Sequence, residues 1–594
     1  MNQLLPDMVR SMLCSQNETL TALPDGAPCA VKVACTVRSG GKSCDDIKGL
    51  PIAIVESFYS QEKKGTAHKT FKSLGSIETC KANGMEDPVA AFQKEVDELN
   101  RKRRYEGEKM ISGKSPLLHL GYFPLKSIME KLKLRKYVDY FNLTYDFGFD
   151  LYELLSSLIF ARCVHPCSKR RTFHEVLPNL LESYDYSYGQ LLDGLSFIGT
   201  NYMKFIEIFT VGVNSVYTLD TSKTYFDCTN FYFEIDREDD FRRKGPSKEN
   251  RKDPIVGLGL LLDANQIPIG MDMYPGNESE KPVIRDVIGA LKKRNNIVGK
   301  TIHVADKGLN CAENIASAKE GGDGYLFSKS VKTLPEEEKE WVLLGNDYVI
   351  VRNRSGKELY RYKSCVDKFP YTVEHEGKRI TVKLTEKRLV TYNPDLAAKK
   401  RYEINKMVEK AKLLTLSQAK KSDYGETGKY VNFTDEQGDK ARVSINQQAI
   451  EKDLKLAGYN LIVTSEIKMK DEDIYGTYRN LWRIEESFRI MKSDLDARPV
   501  FLQKESTIKG HFLICYLTVL LERLFQFKTL DDVYGAPEIF DFFKDFRVTK
   551  SGNNFINVTT DSEFITHLAD KTGLPLRNYY ISDLHIRAIL NCKI

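Results

Sequence analysis

Tyr225-Phe-Asp-Cys-Thr-Asn-Phe-Tyr-Phe-Glu-Ile235, Ile255-Val-Gly-Leu-Gly-Leu-Leu-Leu262 and Ile267-Pro-Ile-Gly-Met-Asp-Met-Tyr274 together decide the fold. The first run is rich in aromatic residues and reads as a strand. The second reads as another strand, and Asp263-Ala-Asn-Gln266 turns the chain tightly into the third. Three consecutive strands with short connections predict an antiparallel meander. Working outward, a helix is expected from Glu280 to Lys293. Thr301-Ile-His-Val-Ala305 then reads as a buried strand ending at Asp306. Asn310, with Glu313 three residues later, has the pattern of a capped helix start. Tyr325-Leu-Phe-Ser-Lys329 gives a fifth strand, so the sheet is mixed and flanked by helices.

The order βββαβαβ is that of an RNase H-like core. The expected fold is therefore α/β: an RNase H-like mixed-sheet catalytic core with a β-rich insertion, plus N-terminal β and helical regions. The pattern divides the chain into six ranges. Residues 1–115 are mixed, with β-like runs at Cys29–Val37 and Pro51–Tyr59 and a charged helix at Pro88–Glu106. Residues 116–215 are helical in pattern and are the best candidate for reading DNA ends, although no helix-turn-helix stands out there. Residues 216–330 hold the first part of the core and 331–460 the β-rich insertion. Leu461-Ile-Val-Thr464 returns to the core, which continues to 530, and 531–594 read as a mostly helical cap.

With 594 residues, 42% hydrophobic and 29% charged, the composition is that of a globular chain with ample core. A net charge of +6 is too mild to identify a partner, but its distribution is uneven. Ala397–Tyr430 carries nine Lys/Arg against four Asp/Glu, or +5, and such a local field suits a polyanion. Lys399, Lys400 and Arg401 are its densest run. Twelve scattered cysteines point to a reducing compartment. Cys29, Cys35 and Cys44 lack ligand spacing, and Cys163-Val-His165-Pro-Cys167 reads as buried thiols near a helix end rather than a zinc site. No signal peptide is visible, and Phe512–Leu521 is too short to span a bilayer, so a cytoplasmic protein is expected, with no membrane partner.

The chemistry concentrates in Tyr478-Arg-Asn-Leu-Trp-Arg-Ile-Glu485-Glu-Ser-Phe-Arg-Ile-Met-Lys492. Read as one helix, its Tyr478, Trp482, Glu485, Arg489 and Lys492 share a face, because their spacing follows the 3.6-residue turn. A carboxylate on that face suits a metal and the flanking cations suit phosphate. Glu486 is rotated by about 100° and is the natural control. Asp227 lies in the first strand and Asp306 at the end of the fourth, neighbours in the expected sheet. With Glu485 they form a candidate triad for two Mg²⁺ ions, Mn²⁺ being the natural substitute, in an in-line displacement at phosphorus.

At these residues the chain resembles bacterial insertion-sequence DDE transposases, the cut-and-paste group with a β-rich insertion before the catalytic glutamate. Tyr478-x2-Leu481-x3-Glu485-x6-Lys492 resembles that group's Tyr/Arg/Glu/Lys signature, with Leu481 in place of the arginine. Phe226-Asp-Cys-Thr229 and Val304-Ala-Asp-Lys-Gly308 look like its two aspartate motifs. Arg498-Pro-Val-Phe501 and Gly510-His-Phe-Leu-Ile-Cys515 look like its downstream sequence. The resemblance implies that Asp227, Asp306 and Glu485 hold the metals, and that Tyr478 and Lys492 contact the backbone of the element's ends. Arg479 and Arg483 are the nearest replacements for the missing arginine. It also implies cleavage at mobile-element ends, strand transfer into double-stranded target DNA, a homodimer on DNA and association with the nucleoid when bound. Two other readings stay open: an RNase H-like DNA-binding protein without catalysis, and an RNase H-like nuclease without strand transfer.

Overall fold

The structure, a computed structural model, describes residues 29–34, 51–60, 65–107 and 117–594, apart from 250, 294–296, 298, 376–377, 417–420, 435–441 and 553. Cys35, Cys44 and the end of the Cys29–Val37 run lie outside the described residues. The chain divides into two compact units, residues 1–116 with 550–554 and residues 117–549 with 555–594. In the first unit, strands Cys29–Ala34, Pro51–Ser60 and Gly65–Ser76 form an antiparallel sheet. Ser76 Oγ caps the helix Ile77–Ala82 by accepting from Thr79 N at 3.1 Å. The charged helix spans Pro88–Gly107, and its Val96 is buried with Ile54 in a small core.

The second unit is mixed α/β and is built on one nine-stranded sheet. Its strands are β1 (Lys223–Tyr232), β2 (Ile255–Leu262), β3 (Pro268–Pro275), β4 (Ile302–Ala305), β5 (Gly324–Lys329), β6 (Val349–Arg352), β7 (Glu358–His375), β8 (Lys378–Tyr392) and β9 (Tyr459–Thr464). Across the sheet the order is β6-β7-β8-β9-β5-β4-β1-β2-β3. β1, β4 and β5 run parallel, and every other neighbouring pair is antiparallel. The turn between β2 and β3 is tight, as expected: Asp263 Oδ1 accepts from Ile267 N at 2.8 Å. The β1–β2 connection is not short. Ile235 N bonds back to Phe233 O at 2.8 Å, curling the chain out of the ladder, and residues 233–254 make a long excursion before β2 begins.

The β-rich stretch after residue 331 extends this same sheet: β7 and β8 form a long hairpin whose inner half reaches the core through β9. Eight helices matter for the site: α1 (Leu151–Val164), α2 (Tyr188–Thr200), α3 (Val283–Lys293), α4 (Ala312–Glu320), α5 (Pro394–Leu416), α6 (Asp471–Arg479), α7 (Trp482–Arg489) and α8 (Glu505–Leu524). Asn310 does not cap α4. Its Nδ2 donates to Ser328 O at 2.8 Å, tying the β4–α4 loop to β5, and Cys311 holds the cap position without a side-chain bond. Cys163 is buried near the end of α1 and Cys167 is half-buried.

α8 is buried from Gly510 to Leu524, all round, as a helix sheathed by other elements must be. It packs on α2 so closely that a Cβ on Gly199 would lie 1.7 Å from Ser506 O, and one on Gly510 would lie 2.3 Å from Leu195 O. Only glycine permits that approach. The C-terminal range is less helical than its pattern suggests. Arg547–Ser551, Asn554–Asn557 and Tyr580–Ser582 complete a four-stranded sheet with Leu117–His119. Among the described residues no helix is long and apolar enough to cross a membrane.

Candidate active site

Phe226 and Ala305 are the last paired residues of the parallel β1–β4 ladder. Asp227 and Asp306 come next on each strand, so they leave neighbouring strands at one level. Alternation fixes their face. Phe226 and Cys228 enter one core, whereas Tyr225 and Phe231 enter the other, which also contains Ile484 and Phe488 of α7. Asp227 has the parity of the second set, and Asp306 shares the parity of Val304, which lies in the same core.

α7 packs against β1 and β2 with Ile484, Glu486, Ser487 and Phe488 buried. Glu485 is exposed, and it lines, with Asp227 and Asp306, a cleft of about 650 Å³. Six cations line the same cleft: Lys307, Lys329, Lys332, Lys400, Lys429 and Arg479. Tyr475 and Trp482 add aromatic surface, and Trp482 is 48% exposed.

The stretch 478–492 is not one helix. α6 ends at Arg479, a turn intervenes at Asn480 and Leu481, and α7 passes into a π-turn over Ile490–Asp494. The wider π-turn changes the angular spacing after Arg489. Tyr478, Trp482 and Glu485 therefore line the cleft, while Arg489 and Lys492 are not among its lining residues. Arg489 turns to Glu486 at 3.3 Å, and Lys492 pairs with Glu249 at 3.2 Å. Leu481 is buried at the cleft wall. Of the two candidate replacements for the signature arginine, Arg479 lines the cleft, and Arg483 turns to Glu486 and Asp532. In the basic run, Lys400 lines the cleft, whereas Lys399 and Arg401 are exposed elsewhere on α5. Glu486 is no bystander: it is buried and held by three arginines.

The Tyr478 hydroxyl donates to Asp306 Oδ1 at 3.1 Å, and burial, then the Asp306 charge, push the phenol well above its ordinary range. Asp227 Oδ1 accepts from Cys228 N at 2.8 Å. Burial, against Lys248 and the Cys228 N–H and with Asp306 and Glu280 adding to it, raises the Asp227 carboxyl to about 6. Two residues that sequence reading passed over shape this corner. Lys248 Nζ lies 3.8 Å from Asp227 Oδ1 and 3.5 Å from Glu280 Oε2, and it donates to Cys228 O. Glu280 presses on the loop after Asp306, where a Cβ on Gly308 would meet its Oε1 at 2.7 Å. The Gly-Pro-Ser-Lys run at 245–248, so close to β1, was the available signal.

Three carboxylates are the donor type that a hard divalent cation takes. Among the described residues no three His, Cys, Asp or Glu groups stand close enough together to hold a metal ion. Neither known protein-family models nor curated protein sequences provide a match to this chain.

Proposed function

We propose that this protein is a DDE-type DNA transposase with an RNase H-like catalytic core. The observation that carries the reading is the convergence of Asp227, Asp306 and Glu485, from two parallel strands and a helix, on one lysine-lined cleft. The RNase H-like assignment draws its support from the strand order β3-β2-β1-β4-β5, with β1, β4 and β5 parallel and α7 packed on β1 and β2. DNA as substrate is supported by Lys307, Lys329 and Arg479, which line the cleft without an acidic partner among the described residues, and by its exposed Trp482, which offers a base-stacking surface.

Two Mg²⁺ ions held by Asp227, Asp306 and Glu485 would supply Lewis acidity at both the attacking and the leaving oxygen. The rest is done by the chain. Tyr478 fixes the orientation of Asp306. Lys248 offsets the charge on Asp227 before DNA arrives. The lysines of the cleft wall hold the phosphodiester backbone so that water or a 3′-hydroxyl approaches in line. Two ends must be cut and joined together, so we propose a homodimer on DNA as the active form.

The test is a Mg²⁺-dependent cleavage and joining assay on DNA carrying the inverted repeats that flank the coding sequence. Asp227→Asn, Asp306→Asn and Glu485→Gln should each lower cleavage roughly 1000-fold, about 4 kcal/mol of barrier, while retaining DNA binding. Cleavage by Glu485→Gln within a few-fold of wild type would refute the triad. Cleavage without joining would favour the simple nuclease, and binding without cleavage the inactive DNA-binding protein.

A further inference from the structure

Beside the cleft, the 233–254 excursion carries Lys248, Glu249 and Arg251 past the end of the π-turn that follows α7. Glu249 receives two cations on its two oxygens: Lys492 Nζ lies 3.2 Å from Oε1, and Arg498 Nη1 pairs with Oε2. Among the described residues neither cation pairs with any other acid. Burial pushes the Glu249 carboxyl up, but Arg498 and Lys492 outweigh it and hold the group below its usual range. Lys492 also sits 5.5 Å from the Phe231 ring, and Arg498 and Arg251 lie over Tyr232 at 5.3 and 3.8 Å. The two side chains are thus preset by aromatic walls and aimed at a pair of oxygens.

A carboxylate gripped on both oxygens by a lysine and an arginine has the geometry of a bound phosphodiester. Like the phosphodiester, it sets a single negative charge against two cations. Glu249 is also easy to displace: its side chain is 29% exposed, and it lies on an excursion rather than in the sheet. We infer that Lys492 and Arg498 form a phosphodiester-binding subsite of the DNA groove, and that Glu249 is its built-in occupant until DNA displaces it. This rests on the DNA-binding function proposed above and adds Arg498 and Glu249 to it.

The test is a double-mutant cycle on the full chain, reading affinity for a mixed-sequence DNA duplex across a salt series, with a melting curve for each variant. Glu249→Gln removes the competitor, so affinity at low salt should rise by about three- to tenfold and the salt dependence should steepen by about one unit. Arg498→Gln should weaken binding. Adding Glu249→Gln to Arg498→Gln should then give little or no gain, because the subsite is already lost. Glu249→Asp, which keeps the charge but shortens its reach, should fall between wild type and Glu249→Gln, and it decides the matter should Glu249→Gln fail to fold.

Unchanged or weaker binding by Glu249→Gln, with a lowered melting temperature, would make Glu249 a brace and overturn the inference. An equal gain in both backgrounds would overturn it too, as a general effect of charge. Either result leaves the transposase reading standing. No salt-dependent DNA binding by wild type would overturn the DNA-binding function and the subsite together.

Discussion

Two charged regions lie on different faces of α7, supplied by adjacent glutamates. Glu485 faces an open cleft lined by six cations and five acids. Glu486 points into the protein, where Arg523 Nη2 lies at 2.8 Å, Arg483 Nη1 at 3.1 Å and Arg489 Nη2 at 3.3 Å. The Arg523 side chain is fully buried, and it also meets Gln526 and Ser487. The difference is one of rotation by a single residue. On one side Glu485 stands exposed in the cleft, and on the other Glu486 is spent internally to fix the helix. The inner region positions the outer one.

The largest expected effect that separates them is on stability. Glu486→Ala removes the carboxylate that Arg523 Nη2 pairs with in the core and should cost about 3–5 kcal/mol in denaturant unfolding. Glu485→Gln, on the exposed side, should stay within about 0.5 kcal/mol of wild type in the same experiment. Similar losses for both would erase the distinction drawn here.

Glu522 sharpens the inner side. It is fully buried on α8, neither carboxylate oxygen has a hydrogen-bond partner, and Arg523 Nε stands 3.8 Å away. Burial pushes its carboxyl up to about 7. An acid raised in the folded state favours the protonated form. Its contribution is therefore fully present below about 4.5, the unfolded value, and is lost as pH rises through 7. Glu522→Gln should match wild type near pH 5 and exceed it at pH 8, by about 3 kcal/mol at most. A stability difference that does not change with pH would show that Glu522 stays ionised throughout.

On the outer side, Tyr478→Phe removes one hydrogen bond to Asp306. About 1 kcal/mol, or a several-fold drop in cleavage, is expected, with unfolding nearly unchanged. The smallest effect concerns α5. Lys400 lines the cleft and Lys399 and Arg401 do not. Lys400→Gln alone should therefore reproduce most of the low-salt affinity loss of the triple neutralisation, amounting to about one phosphate contact. Equal losses from all three single changes would mean that the whole α5 surface, rather than the cleft, meets DNA.

The sheet was legible because its signals are local. Ile255–Leu262 is a strand as quoted, the Asp263 turn is where its residues call for one, and Asp227 and Asp306 fall at strand ends whose parallel pairing sets them side by side. What escaped depends on partners far along the chain. No periodicity distinguishes a continuous helix from α6 and α7 broken at Asn480 and Leu481, because both residues keep right-handed helical dihedrals. The fate of Lys492 is decided by Glu249, 243 residues away. Lys248 and Glu280 were passed over because a loop lysine and a helix-start glutamate acquire meaning only once β1 and β4 are placed together.

The position of β9 bears on how such a protein is made. This strand, the last of the large sheet to leave the ribosome, is inserted between β5 and β8, and α7 follows it. A chain interrupted before Tyr459 would therefore carry both aspartates on a sheet with two raw inner edges and without Glu485. Open edges invite aggregation or quality control. Under the proposed activity, this order of synthesis would keep truncated chains from cutting DNA, since they would lack Glu485 and be cleared as misfolded protein.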